Sequence, residues 1–148
     1  MWRHVITLRR DVPARQVRRA EGVTAHYLRP VYRFANVTFH LINKLKLWRE
    51  LAALQPDVIH AHIAGTYGEV AHHTGKPYVL TPHGVRHREP TPGASWFTRL
   101  VRQPLIRHNE RQSVRAAHYL TAISPYVMRE FGADVRGQVH LIENPTND

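Results

Sequence analysis

Pro77-Tyr78-Val79-Leu80-Thr81-Pro82-His83-Gly84 is the stretch that decides the fold. Tyr78 to Thr81 suit a pleated, covered surface, and proline is tolerated at a strand's first residue. Pro82 ends the ladder because it has no N–H to donate. Gly84 then lets the backbone turn sharply or approach a ligand closely. His83 is thereby predicted where the carboxyl end of a strand opens into a loop, and in parallel α/β sheets that edge binds ligands.

Working outward, short apolar runs alternate with helical patterns. Residues 4–9 (HVITLR) and 23–28 (VTAHYL) read as strands, with Val23, Ala25 and Tyr27 sharing one face. Residues 9–20 between them read as a polar connection. From about residue 34 to residue 54, Leu41, Leu45, Trp48 and Leu51 recur at helical steps, with Lys44, Lys46 and Arg49 on much of the other side. A helix covering a sheet is the preferred reading. An amphipathic helix on an anionic membrane is the alternative, supported by Phe39, Leu47 and Trp48.

Gln55-Pro56-Asp57 breaks the helix, and residues 58–62 (VIHAH) follow as a strand. A helix is predicted over 66–74, stopped by Gly75. After the central strand, residues 85–93 read as a loop and 94–117 as one long helix interrupted at Pro104, with Trp96, Leu100, Val101, Leu105 and Val114 apolar. Residues 119–123 read as a strand, Ser124-Pro125 as a helix start and residues 139–142 as a last strand. The alternation predicts a mostly parallel sheet with helices on both faces.

Composition narrows the chemistry. The chain has 148 residues, a length that suits one domain, and no cysteine, which excludes disulfides and thiolate metal sites. No apolar run approaches the roughly 18 residues of a membrane span. The start of the chain is too short in apolar residues for a signal peptide. The formal charge is +10, carried by eighteen arginines and three lysines against eleven acidic residues. Arginine grips phosphate in a planar, bidentate manner, so nucleic acid, an anionic membrane and a phosphorylated ligand are open readings. The arginines are spread along the chain, which also fits solvated helix faces. No zinc finger, P-loop or aromatic ribonucleoprotein motif accompanies the charge, so no specific nucleic-acid partner is expected.

Three strand ends carry polar residues: His60 and His62, then His83, then Ser124. Adjacent parallel strands would bring these ends to one rim. Histidine there can accept or supply a proton, or bond a substrate hydroxyl. His60 and His62 lie two apart on a strand and so share a face, and with His83 they could hold zinc. No carboxylate is placed for hydrolytic chemistry and no helical zinc motif is present, so no metal is expected.

The runs 57–62 (DVIHAH) and 75–84 (GKPYVLTPHG), Glu110 on the long helix, 117–124 (AHYLTAIS) and 141–145 (LIENP) together resemble the amino-terminal domain of family-four retaining glycosyltransferases of GT-B fold. The resemblance covers nearly the whole chain in order and spacing. It implies a Rossmann-like α/β half of a GT-B fold and transfer of a sugar, with retention, from a nucleotide-sugar donor to a hydroxyl of a carbohydrate or lipid-linked acceptor. His83 matches the family's active-site histidine. His60, His62, Thr66, Tyr67, Gly84, Arg86 and Arg88 would line the acceptor side, Ser124 would act as a cap and Asn144 as a hinge residue. No further cofactor is implied, and the location would be cytoplasmic, peripheral to the inner membrane at most.

The chain departs from the family at both ends. The family's first strand with its glycine-rich turn, and its second, donor-binding domain, have no counterpart here. The chain is therefore expected to be a partial amino-terminal domain over residues 1–148, inactive alone, with a gap or altered pairing beside the strand at 58–62. The alternative is a non-catalytic basic module for phosphorylated ligands or nucleic acid.

Overall fold

The computed structural model describes residues 3–32, 40–85, 87–88, 96 and 98–143. They form two compact units, Met1–Gln55 and Pro56–Asp148.

In the first unit, β1 (Arg3–Leu8), β2 (Gln16–Ala20) and β3 (Val23–Leu28) form a sheet in the order β1-β3-β2. β1 runs parallel to β3 and β2 antiparallel to it. β2 falls in the stretch read as a polar connection. It is a hairpin partner of β3, joined through Glu21 and Gly22 at φ 49° and 75°, the backbone that tight hairpin turns need. Its Arg18 and Arg19 are exposed, so the strand has no apolar alternation to announce it.

Val23, Ala25 and Tyr27 share one face of β3 as expected, and the other face is the more covered one. Thr24, His26 and Leu28 are buried, while Val23, Ala25 and Tyr27 are half-buried. His26 is satisfied inside: its Nδ1 lies 2.7 Å from Glu50 Oε1 and its Nε2 3.0 Å from His4 Nδ1. Arg15 Nε donates to Glu50 Oε2 at 3.0 Å. Burial would raise the Glu50 pKa, but the Arg15 bond is the larger effect and, with that from His26, holds it below the usual carboxylate range.

α1 (Leu41–Leu54) buries Asn43 and Leu47. Asn43 bonds both backbone groups of Val31, accepting from its N–H at 2.8 Å and donating to its carbonyl at 3.0 Å. The stripe expected to face a sheet, Leu41, Leu45 and Trp48, is exposed together with Ile42. Periodicity identified the aligned residues but not the side that is covered. Phe39 and the helix start expected near residue 34 lie outside the described residues.

The second unit holds β4 (Ile59–His62), α2 (Thr66–His73), β5 (Tyr78–Thr81), a π-helical segment (Thr98–Arg102), α3 (Gln103–Ala116), β6 (Tyr119–Ala122), α4 (Pro125–Phe131) and β7 (Gln138–Leu141). The four strands are all parallel in the order β4-β5-β6-β7. This is the expected Rossmann-like arrangement, and the expected break falls where it was placed: among the described residues β4 pairs with β5 alone. Val58 is exposed and precedes the strand.

Apolar burial concentrates under the central strands, with Tyr78, Leu80, Val114, Leu120, Ala122 and Phe131 almost fully enclosed. Burial of a side chain of this kind is worth about 1.5–3 kcal/mol. Tyr78 donates its hydroxyl to the Ser113 carbonyl at 2.6 Å, and burial pushes its pKa up. α2 meets α3 through Gly68, where an added Cβ would stand 2.8 Å from Ser113 Cβ. Pro104 sits in the first turn of α3, where its missing N–H is harmless, so the long helix divides at a π-to-α junction. Trp96, Leu100 and Val101, expected as part of its apolar face, are exposed.

Candidate functional site

The carboxyl ends of β4 and β5 bring His60, His62 and His83 together. The parallel register pairs His60 with Val79 and His62 with Thr81. Ile63 N–H donates to the Thr81 carbonyl at 2.9 Å, which carries the pairing one residue past the strand. Pro82 is buried and the chain bends at His83, leaving that imidazole exposed. His62 Nδ1 lies 2.9 Å from His83 Nε2, and the rings stack with centroids 5.2 Å apart. His60 and His62 centroids are 4.3 Å apart, and His60 Nε2 lies 2.8 Å from Thr81 Oγ1.

The electrostatics follow from this crowding. A ring nitrogen can accept only when deprotonated, so the His62–His83 contact requires at least one neutral ring. Desolvation lowers the pKa of His60 and His62, and the neighbouring histidines lower it further. At neutral pH His60 and His62 are therefore uncharged imidazoles, able to accept from a hydroxyl or donate to one.

The backbone next to the cluster is held in costly conformations. Ile63, a β-branched residue, has φ 81°. Gly65 caps α2 at φ 91° and ψ −128°, a region open to glycine but hardly to other residues. Gly65 N–H reaches Ser113 Oγ at 3.4 Å. This anchorage places Thr66 and Tyr67, both half-buried, in the first turn of α2 after the strand carrying His62. Gly84 is half-buried beside His83 and Arg88 is exposed. Arg86 and Asn144 lie outside the described residues. Ser124 caps α4, its Oγ accepting from Val127 N–H at 3.3 Å.

A second cluster, which the sequence reading did not foresee, follows the same loop inward. His87 is buried with Nδ1 2.7 Å from Glu110 Oε2 and Nε2 3.0 Å from Glu130 Oε1. Its N–H also donates to Glu110 Oε2 at 3.2 Å. Arg88 Nε donates to Glu130 Oε1 at 3.4 Å, and Arg111 lies 3.8 Å from it. Desolvation alone would raise the Glu130 pKa, but the bonds from His87 and Arg88 outweigh it and leave the pKa lowered. Among the described residues no group of three or more His, Asp or Glu side chains is arranged to hold a metal ion.

A four-stranded parallel sheet with polar side chains gathered at its carboxyl edge defines a Rossmann-like unit, a class of fold in which ligands bind at that edge. The chain belongs to Glycosyltransferase Family 4, whose family model matches residues 3–148. Solved structures agree on the fold. An alpha,alpha-trehalose-phosphate synthase (UDP-forming) from Burkholderia vietnamiensis superposes with a TM-score of 0.59 at 14% identity, covering 92% of this chain and 41% of that one. An alpha,alpha-trehalose 6-phosphate synthase from Burkholderia multivorans gives a TM-score of 0.51 at 15% identity, over 82% of this chain and 31% of that one. The chain thus spans less than half the length of either. No curated protein matches it.

Proposed function

We propose that this chain is the acceptor side of a retaining glycosyltransferase that moves a sugar from a nucleotide-sugar donor to a hydroxyl of a carbohydrate or lipid-linked acceptor. The observation that supports it best is the gathering of His60, His62 and His83 at the ends of adjacent parallel strands in a family-four domain. In this reading His83 contacts the transferred sugar. His60, His62, Thr66, Tyr67, Gly84, Arg86 and Arg88 border the acceptor, Ser124 is a cap and Asn144 a hinge residue. Uncharged imidazoles suit hydroxyl recognition, because they bond both ways without a desolvated charge.

Among the described residues the rim gathers His60, His62, His83 and Thr81, none of which carries a fixed positive charge for the donor phosphates or for the charge that develops as the nucleotide leaves. The chain is therefore proposed to be a partial domain over residues 1–148 that is inactive alone. The test is nucleoside diphosphate release from a panel of nucleotide sugars, with and without saccharide acceptors. No turnover above buffer is expected from the 148-residue chain, and unaided turnover would overturn the proposal.

The inner membrane face is the proposed location, in a cytoplasmic setting. The supporting observation is α1, where exposed Leu41, Ile42, Leu45 and Trp48 accompany Lys44 and Arg49. No helix among the described residues is long and apolar enough to cross a membrane.

A further inference from the structure

A basic cleft lies along α3 and shares only Arg88 with the proposed acceptor border. Its volume is about 490 Å³, and Arg88, Arg99, Arg107, Arg111, Arg115 and His108 are among the residues lining it. Arg107, Arg111 and Arg115 follow one another at four-residue steps, so they project from one face at intervals of about 6 Å. Like charges so spaced repel, and such a stripe weakens its own helix.

The protein neutralises one end of the stripe and leaves the other. Arg111 and Arg115 both pair with Asp134, the latter at 3.0 Å, and Arg88 is drawn to Glu130. Glu110 is turned inward to His87. Among the described residues neither Arg99 nor Arg107 has an acidic partner. Among the described residues Arg111 Nε is buried with no acceptor, so Asp134 and Glu130 do not use the whole guanidinium at the centre of the stripe. Five planar forks around one hollow, with an excess of positive charge, match the geometry of phosphate oxygens.

We propose that this cleft binds a phosphate-bearing anion, and that the stripe, about 12 Å from Arg107 to Arg115, takes more than one phosphate group. The phosphates can belong to a soluble compound or to lipid headgroups. Trp96 and Leu100, 72% and 71% exposed beside Arg99, are the apolar surface that a lipid source would use.

The test uses the 148-residue chain and two probes. Tripolyphosphate is titrated by calorimetry, and flotation measures binding to phosphatidylcholine vesicles with or without about 30% phosphatidylglycerol. The pair Arg99→Glu/Arg107→Glu is expected to weaken binding about tenfold or more. The control pair Arg3→Glu/Arg19→Glu removes the same charge from exposed positions of the other unit and is expected to weaken it by less than about threefold. If the glutamates prevent folding, Arg99→Gln/Arg107→Gln replaces them. Selective loss of tripolyphosphate binding supports the cleft with a soluble ligand. Selective loss confined to anionic vesicles supports it with a lipid headgroup. Equal losses for both pairs, or no binding of either probe, overturns it.

Discussion

The two histidine clusters of the second unit lie on either side of one loop and are built in opposite ways. At the ends of β4 and β5, His60, His62 and His83 meet one another at the surface with no carboxylate partner among the described residues, and His60 Nε2 reaches Thr81 Oγ1. A few residues on, His87 is enclosed with a carboxylate oxygen at each ring nitrogen. The first arrangement keeps the rings reachable, and partial burial and neighbouring rings favour the uncharged form of His60 and His62. The second spends both ring nitrogens on the protein itself. The difference separates a rim that can meet a ligand from a buried tie joining the loop, α3 and α4, although the residue type is the same.

The contrast can be broken most severely at Glu110. Glu110→Ala leaves the buried His87 Nδ1 and backbone N–H without their shared carboxylate, and about 3–5 kcal/mol of stability should be lost. A loss of unfolding free energy in urea of less than a quarter of that would mean the tie is not structural. Gly68→Ala comes next, because its methyl would enter Ser113, which also anchors the turn below His62. A loss of about 1–3 kcal/mol is expected from that overpacking, read from the same unfolding curve. His62→Ala should change stability by only about 0.5 kcal/mol, as befits an exposed side chain. A large loss there would remove the distinction between the clusters.

The smallest effect is in pH. His60 and His62 have folded pKa values below the usual 6.5, so the unfolded chain binds more protons as pH falls through 6.5. Their contribution destabilises the fold progressively from there downward and is absent at higher pH. Glu130 has the opposite sense: its lowered pKa adds stability above 4.5 that is lost only as pH falls beneath it. The melting temperature of the wild type should therefore drop more between pH 7.5 and 5.5 than that of His60→Gln/His62→Gln, while Glu130→Gln should lower it above about pH 4.5, by a difference that shrinks as pH falls further.

Much of the second unit was legible in the sequence because its strands are short, apolar and punctuated. Pro77, Pro82 and Gly84 bracket β5, Gly75 ends α2, and Ser124-Pro125 opens α4. The first unit was less legible. β2 is polar on both faces, so its pairing depends on the Glu21-Gly22 turn and on β3. In α1 the apolar residues do not all turn inward, and one polar residue, Asn43, takes a buried place by bonding the Val31 backbone. The rim at His60, His62 and His83 could be read because strand order converts sequence position into proximity. The His87 tie could not, since Glu110 and Glu130 reach it only through the packing of two helices.

The most direct test of the central claim is a saccharide titration of the 148-residue chain, followed by the ring resonances of its histidines. Sugars, sugar phosphates and nucleotide sugars are added in turn. The account predicts that at least one class shifts His60, His62 and His83 together in a saturable way while His87 and His26 stay still. Rim resonances that remain unmoved by every class, or shifts spread equally over all five histidines, would contradict it.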